Sequence, residues 1–239
     1  MTDPATLNRL IAPAIALASD YARRRGTLSA SEKSPGQFAS DADTEVEALV
    51  RRTLEAEFGD VPVIGEEQGG ALSETLSGWV IDPIDGTSNF LRGLPVWGIS
   101  IGLLENGRSV AGAIALPELD LVLTAVRGGG AQVNGAPIAR SPAAGGRMIA
   151  LGENDFEAGT ETDSRAQALR AAGYAVVRYR CAVFSLASAA LGRLDGYVEY
   201  GCRIWDIAAA EILCREAGLD VTVEALGGGR YAIDARWPD

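Results

Sequence analysis

The chain has 239 residues, of which 47% are hydrophobic and 22% charged, the balance of a globular protein with a sizeable core. Its net charge of −11 disfavours nucleic acid and anionic membranes as partners, because both are bound by basic surfaces. The absence of histidine excludes Ser-His-Asp triads, Cys-His pairs, imidazole bases and H-E-x-x-H zinc sites. Any catalysis must therefore use carboxylates, hydroxyls, Lys or Arg, or metals that prefer oxygen ligands.

The first part of the chain predicts two amphipathic helices separated by a loop. Apolar residues recur at helical spacing over residues 7–18, and Pro13 predicts either a kink or a helix that starts near Ala12. Residues 31–40 are rich in Ser, Pro and Gly and are predicted to form a loop. Residues 46–58 then repeat the helical period up to the break that begins at Gly59.

The rest of the chain alternates between predicted strands and helices. Short apolar runs predict buried strands at residues 61–65, 79–81, 96–104, 110–116 and 121–125. Asn106-Gly107 is a strong hairpin signal between the third and fourth of these. Later strands are predicted at 148–151, 174–177, 197–200 and 219–223, with helices at 163–172, 182–191 and 206–217. The pattern predicts a mixed α/β fold, one compact unit with an N-terminal lobe over about 1–140 and a C-terminal lobe over about 141–239.

Composition also limits the cellular setting. The three cysteines are widely spaced without a C-x-x-C pair, so neither a disulfide framework nor a zinc site is expected. No run of about 20 apolar residues could cross a bilayer, and residues 11–18 lack the flanks of a signal peptide. We expect a cytoplasmic protein without membrane or nucleic-acid partners.

The segment from Trp79 to Phe90 carries the sharpest chemical signal. A buried strand ends in Asp82, Pro83 is expected to stop its ladder, and Asp85 follows just before Gly86 and a predicted helix start. Carboxylates at such a point can bind a cation, while N–H groups at the helix start bind phosphate oxygens. The alternative is a turn in which both aspartates only cap backbone groups.

Three further acidic positions are ambiguous when taken singly. Gly65-Glu66-Glu67 ends another strand, and only one of the two glutamates is expected to enter a given site. Asp206 is predicted as the N-cap of a late helix, and Asp43 fits a capping box at an early one. Several acidic strand and helix ends in a histidine-free chain favour an oxygen-ligated divalent site, and Mg²⁺ chooses such ligands.

Three motifs in order resemble the inositol monophosphatase family, a lithium-sensitive, Mg²⁺-dependent phosphatase superfamily. They are D-P-[IL]-D-G-T-x-N-F at residues 82–90, G-E-E at 65–67, and W-D-x-A-A with its E-A-G ending at 205–218. The stretch G-x-x-D-[GA]-[YF]-x-E at residues 192–199 is similar as well. The resemblance implies a five-layer α/β/α/β/α sandwich and hydrolysis of a small phosphomonoester, most simply inositol monophosphate or a related sugar or polyol phosphate.

The resemblance also implies roles for individual residues. Glu66, Asp82 and the carbonyl of Ile84 would bind a first Mg²⁺, and Asp82, Asp85 and Asp206 a second, with two or three ions per site. Thr87 and Asp43 would orient and activate the attacking water, so that Thr87, Asp43, Glu66 and Asp82 form the catalytic group. The substrate contacts would be Asp85, Gly86, Thr87, Ser88, Glu199 and Asp206, and Lys33 would be a loop lysine near the metals. A homodimer is implied by the resemblance alone.

Some positions depart from the family pattern. Ala42 stands where relatives have Thr, and the G-[ST]-A segment becomes Arg180-Cys181-Ala182. The sequence also ends at Asp239, short of the family's last strand and helix. None of these differences removes a metal ligand, but they leave the substrate open, and a bisphosphate nucleotidase, a fructose bisphosphatase and a histidinol-phosphate phosphatase are alternatives on the same scaffold. The alternative from a different class is a non-catalytic member that binds metal or a partner. A two-carboxylate glycosidase is a further alternative, but it leaves Gly86-Thr87 at a helix start unexplained.

Overall fold

The computed structural model describes residues 2–34, 37–140 and 145–238, and for residues 33, 34 and 37 it describes the backbone alone. The helices are α1 Pro4–Arg23, α2 Asp41–Phe58, α3 Thr87–Arg92, α4 Gly159–Ala171, α5 Ala182–Ala190 and α6 Ile204–Ala217. The strands of the first half are β1 Ala30–Ser34, β2 Gln37–Ser40, β3 Val63–Gly65, β4 Gly69–Gly70, β5 Gly78–Asp85, β6 Gly98–Glu105, β7 Arg108–Leu116, β8 Leu121–Val126, β9 Ala131–Val133 and β10 Ala136–Pro137. Those of the second half are β11 Met148–Leu151, β12 Ala175–Val177, β13 Gly196–Cys202, β14 Asp220–Gly227 and β15 Arg230–Arg236.

The elements stack in five layers, as predicted. An eight-stranded sheet in the order β10-β9-β8-β7-β6-β5-β3-β4 lies between α1 and α2 on one face and α5 and α6 on the other. A five-stranded sheet in the order β12-β11-β13-β15-β14 covers the other side of α5 and α6, and α4 lies outside it. The sequence alternation explains this arrangement, because neighbouring residues of a strand face opposite layers. In β7, Ala113 and Ala115 pack with α1 and α2, whereas Ile114 and Leu116 pack with α5 and α6.

Three local predictions were wrong, and one strand was not predicted. Residues 31–34 and 37–40 belong to the paired strands β1 and β2 instead of a loop; their polar and small residues carry no apolar alternation that would predict strands. Residues 35 and 36 of the predicted loop lie outside the described residues. Helix α1 does not start near Ala12: it runs through Pro13 from a cap at Asp3, because its buried apolar face outweighs the cost of proline. Strand β5 continues past Pro83 through a bulge, and β15 was not predicted although it lies between β13 and β14.

None of the helices in the described ranges is both long and apolar enough to cross a membrane.

The central helix α6 lies unusually close to the first sheet at two glycines. A Cβ added to Gly112 would lie 2.7 Å from Ala209 Cα and 2.8 Å from its carbonyl oxygen, and one on Gly102 would lie 2.8 Å from Ala208 Cβ. Helix α6 also carries Asp206, so the same contact fixes the position of a predicted site residue.

We predict that Gly112→Ala destabilises the protein by about 1–3 kcal/mol, because the added methyl group must displace helix backbone in a close-packed interior. The measurement is the free energy of unfolding in a denaturant titration. Gly26→Ala is the matched control, since a Cβ there meets no atom within 4 Å and its backbone is not left-handed. Equal stabilities of the two variants would contradict the prediction.

Candidate metal and phosphate site

A cleft of about 280 Å³ opens between the end of β5, the start of α3, the start of α5 and the start of α6. Nine of the sequence-predicted site residues line it: Glu66, Asp82, Ile84, Asp85, Gly86, Thr87, Ser88, Glu199 and Asp206. Asp43 lies behind Thr87, to which it is hydrogen-bonded. The side chain of Lys33 lies outside the described part of the chain, so its predicted place is not tested.

A bulge in β5 presents the first two aspartates. Asp82 pairs with Ser100 of β6, whereas Asp85 pairs with Gly98, so β5 contains one residue more than its partner between these points. Asp82 is 1% exposed, and its Oδ1 has no hydrogen-bond partner. The Oγ of Ser100, its buried cross-strand neighbour, is unpartnered as well. Buried polar atoms without partners are rare, and here they mark a place that a cation or its water would satisfy.

Asp85 is held by the start of α5. Its Oδ2 accepts a hydrogen bond from the Val183 N–H at 2.5 Å and one from Cys181 Sγ at 3.2 Å. Burial raises the pKa of Asp85, while these two hydrogen bonds oppose the rise. The protein thus fixes Oδ2 of Asp85, and this in turn fixes the direction in which its Oδ1 points.

Asp206 is not the N-cap of its helix, which corrects the sequence prediction. Arg203 is the N-cap of α6, and Asp206 is the third helical residue, whose Oδ2 accepts the Arg203 N–H at 2.6 Å. Capping and site functions are compatible here, because the hydrogen bond uses one oxygen of the two. Burial, then Glu199 and Asp85, raise the pKa of Asp206 well above its ordinary value.

Thr87 and Asp43 form a buried pair. The Thr87 hydroxyl lies 3.0 Å from Asp43 Oδ1 and 3.0 Å from the carbonyl oxygen of Ile84, so its proton has two acceptors. Asp43 Oδ2 accepts the N–H and the hydroxyl of Ser40 at 2.8 and 2.6 Å, which completes the predicted capping box. Burial raises the pKa of Asp43 to about 6, against the hydrogen bonds from Ser40. Asp43 therefore both caps α2 and holds the Thr87 hydroxyl.

At the other end of the cleft, Glu199 belongs to a polar network that the sequence did not reveal. Its Oε1 accepts a hydrogen bond from Asn154 Nδ2 at 2.8 Å, and its Oε2 accepts the Tyr197 hydroxyl. Burial raises the pKa of Glu199, and these hydrogen bonds oppose the rise. A Cβ on Gly152 would overlap both Glu199 and Tyr197, so glycine is required to leave this end of the cleft open.

The wall beyond this network carries arginines. Arg180, Arg203 and Arg230 line the cleft together with Trp205 and Cys181. Arg180 has a left-handed backbone with φ of 54°, a conformation that glycine adopts without strain. Arg230 is paired with Asp155 at 2.7 Å, whereas the guanidinium of Arg203 donates to the carbonyl of Gly228 at 3.1 Å.

The residues fit a hard divalent cation that keeps part of its water. Among the described residues, no three Asp, Glu, Cys or His side chains converge tightly enough to make a closed metal site on their own. Mg²⁺ commonly takes one or two protein carboxylates and completes its shell with water and substrate phosphate. The unpartnered Asp82 Oδ1, the all-oxygen donors and the mutual repulsion of Asp82, Glu66 and Asp85 agree with such an ion.

The comparison with known proteins identifies the class. The model of the inositol monophosphatase family matches residues 5–235, so the chain belongs to this family. Inositol-1-monophosphatase of Mesorhizobium japonicum is 33% identical over 98% of this chain and 90% of its own length. Nus factor SuhB of Xylella fastidiosa is 38% identical over 80% of this chain and 71% of its own length.

Solved structures agree on the fold. The extragenic suppressor protein suhB from Bartonella henselae has a TM-score of 0.82 at 30% identity, covering 95% of this chain and 93% of that one. A Thermotoga maritima IMPase has a TM-score of 0.80 at 28% identity, covering 95% of this chain and 89% of that one. The predicted family and five-layer fold are both confirmed, and the family is generally metal-dependent and acts on small phosphorylated molecules.

We predict that the metal-free protein loses stability as the pH rises. The pKa of Asp82 lies well above its ordinary value of 3.8, because of burial and then the charge of Glu66. The folded protein therefore retains a proton that the unfolded chain has already released, so the free energy of unfolding falls above about pH 4. Asp82→Asn should raise the stability of the metal-free protein at pH 8 by about 0.5–2 kcal/mol, because it removes a buried charge that Glu66 repels.

Denaturant titrations at pH 5 and pH 8, with EDTA or with Mg²⁺, measure this effect. Mg²⁺ should stabilise the wild-type protein more than Asp82→Asn. The control is Asp60→Asn, an exposed aspartate that follows α2. If Asp82→Asn is less stable than the wild type at pH 8 in EDTA, the repulsion argument fails.

Proposed function

We propose that this chain is a Mg²⁺-dependent phosphatase that hydrolyses a small phosphomonoester, most simply inositol monophosphate or a related sugar or polyol phosphate. The observation that carries the proposal is the Thr87–Asp43 hydrogen bond beside a cluster of carboxylates, of which Asp82 is buried and Glu66, Asp85 and Asp206 are half-buried. A hydroxyl held by a buried carboxylate can accept a proton from water or align it, and the carboxylates can hold the cation that acidifies such a water.

Glu66, Asp82, Asp85, Asp206 and the carbonyl oxygen of Ile84 would hold the metal. When bound, the cation would lower the pKa of a water and neutralise charge on the phosphate and leaving oxygen. The Ile84 carbonyl already accepts the Thr87 hydroxyl, but a carbonyl oxygen has a second lone pair for a metal. The cation would also explain how an acidic protein attracts an anionic substrate.

Thr87 Oγ would accept the proton of the attacking water and pass its own hydroxyl proton to Asp43 Oδ1. Asp43 is placed to receive that proton, because its Oδ1 lies 3.0 Å from the Thr87 hydroxyl and Ser40 holds its Oδ2. Backbone N–H groups of Gly86 and Thr87, with Ser88 beside them, would bind the phosphate. Glu199 would accept a hydrogen bond from a substrate hydroxyl at the far end of the cleft.

The identity of the substrate is a separate part of the proposal. A bisphosphate nucleotide, a fructose bisphosphate or histidinol phosphate would fit the same chemistry, and Arg180 in the cleft wall favours a substrate with a second anionic group.

We also propose that the protein forms a homodimer, is inhibited by lithium and is cytoplasmic. The first two follow from the family resemblance, and the third follows from the composition. The two-lobe organisation, with Asp206 supplied by the C-terminal lobe, is proposed in the same way.

Some relatives bear the name Nus factor SuhB, which suggests a protein-binding role without catalysis as the competing hypothesis. A member that had lost catalysis would have no need to keep the Thr87–Asp43 pair and the acidic cluster. We therefore favour the enzyme.

The first functional test is phosphate release from a panel of inositol, sugar and nucleotide phosphates, with Mg²⁺ and with EDTA. We expect release from at least one monoester with Mg²⁺ and none with EDTA. Asp82→Asn should abolish it, because Asp82 is the carboxylate that would serve both proposed cations. Activity that is absent across the panel, or that survives both EDTA and Asp82→Asn, would overturn the proposal.

A second test addresses the proton acceptor. Thr87→Ala and Asp43→Asn should each lower kcat by about 10²–10⁴-fold, the usual contribution of a positioned acid–base group. Thr87→Ser keeps the hydroxyl and serves as the matched control. With the wild type, activity should rise with pH through about 6 as Asp43 ionises, and Asp43→Asn should remove that limb. Wild-type kcat in Thr87→Ala would sink this assignment.

A further inference from the structure

A second buried carboxylate of α2 lies close to the proposed metal ligand Glu66. Glu47 is fully buried, and both of its oxygens are engaged. Oε2 accepts the Glu67 N–H at 2.7 Å, and Oε1 accepts the Gln68 N–H at 3.1 Å. Arg51, one helical turn later, donates to Oε1 at 2.8 Å.

These contacts fix the turn that carries Glu66. The Glu66 N–H donates to the carbonyl oxygen of Ile81 in β5 at 3.2 Å. The next two N–H groups along the chain, those of Glu67 and Gln68, donate to Glu47. Gly65 packs directly against the Glu47 carboxylate, and a Cβ at this position would overlap it. Arg51 also donates to the carbonyl oxygen of Gly69 at 2.6 Å, which secures the far end of the turn. The backbone is therefore hydrogen-bonded to β5 at Glu66 and to α2 at the two residues that follow it.

The helix that provides Glu47 also provides Asp43. The two residues are four positions apart and so lie on one face of α2, with Arg51 four positions further on. Asp43 binds the Thr87 hydroxyl at 3.0 Å, while Glu47 binds the turn behind Glu66. One helix face thus contacts two separate parts of the cleft wall.

We propose that Glu47 is a positioning residue: through the N–H groups of Glu67 and Gln68 it holds Glu66, and not Glu67, in the orientation that binds the metal. This inference rests on the proposed function, since it gives Glu66 its role as a ligand. Partners that orient a metal ligand without touching the metal typically contribute 10–100-fold to metal affinity.

A purely structural ion pair between Glu47 and Arg51 is the competing explanation. It predicts lower stability on mutation without a specific effect on the metal. The two explanations differ in Mg²⁺ affinity measured on folded protein.

The experiment measures Mg²⁺ binding by isothermal titration calorimetry on full-length variants, together with circular dichroism and thermal unfolding. Glu47→Ala should weaken Mg²⁺ binding about 10–100-fold. Glu47→Gln, which keeps the volume and one acceptor, should weaken it less. The matched control is Glu55→Ala, an exposed glutamate of the same helix, which should bind Mg²⁺ as the wild type does. If Glu47→Ala does not fold, Glu47→Gln against Glu55→Gln decides the question in the same assay.

Two further readouts separate positioning from general damage. Hydrogen exchange of the Glu67 and Gln68 amides should be faster in the Glu47 variants, while amides of α1 remain protected. In phosphate release, the half-saturating Mg²⁺ concentration should rise, whereas KM for the ester at saturating Mg²⁺ should change little. A folded Glu47→Ala that binds Mg²⁺ as tightly as Glu55→Ala would overturn the inference. Failure of the proposed phosphatase would be visible separately, as wild-type protein that binds Mg²⁺ but releases no phosphate.

Discussion

The burial of several like charges in one cleft is the constraint on which the rest of the site depends. Burial raises the pKa of Asp82, Asp85 and Asp206, and their mutual repulsion adds to the rise for Asp82 and Asp206. Ionised carboxylates in such a place are costly unless a cation or hydrogen-bond donors accompany them. The five packed layers keep the carboxylates together despite this repulsion. Perturbed carboxylates in a cleft are the signature expected of a functional site.

In three of the aspartates, local hydrogen bonds hold one carboxylate oxygen in place and leave the other for its proposed function. Asp43 uses one oxygen for the capping box and the other for Thr87. Asp85 gives Oδ2 to the start of α5, and Asp206 gives Oδ2 to the start of α6. Because one oxygen is fixed by peptide N–H groups, the second is oriented without any further side chain. For these aspartates, a hydrogen bond to a helix start is compatible with the proposed site role, because it orients the oxygen that is proposed to act.

The sequence predicted what depends on periodicity and on the signature motif. The helices α2, α5 and α6 and most long strands were found because their apolar faces repeat regularly, and Asp82 and Asp85 stood out by their place at a strand end. Strands β1 and β2 were missed because their residues are polar, and β15 was missed because it follows a glycine-rich turn that gave no partner for it. Glu47 was missed because a single glutamate on a helix is normally solvated. Its place between Val46 and Val50 on the buried side was the available signal. The hydrogen bond from Asn154 to Glu199 joins residues 45 positions apart, which no local pattern contains.

The two ends of the cleft are built on different principles. At the carboxylate end, peptide N–H groups and strand register set the geometry of the carboxylates. At the far end, long side chains such as Arg180 and Arg203 line the wall. Arg180 keeps the left-handed backbone of the glycine expected from the family pattern, at a strain of about 1–2 kcal/mol. The proposed phosphate chemistry therefore belongs to the acidic end of the cleft, and the wall with Arg180 is where the proposed substrate selection would occur.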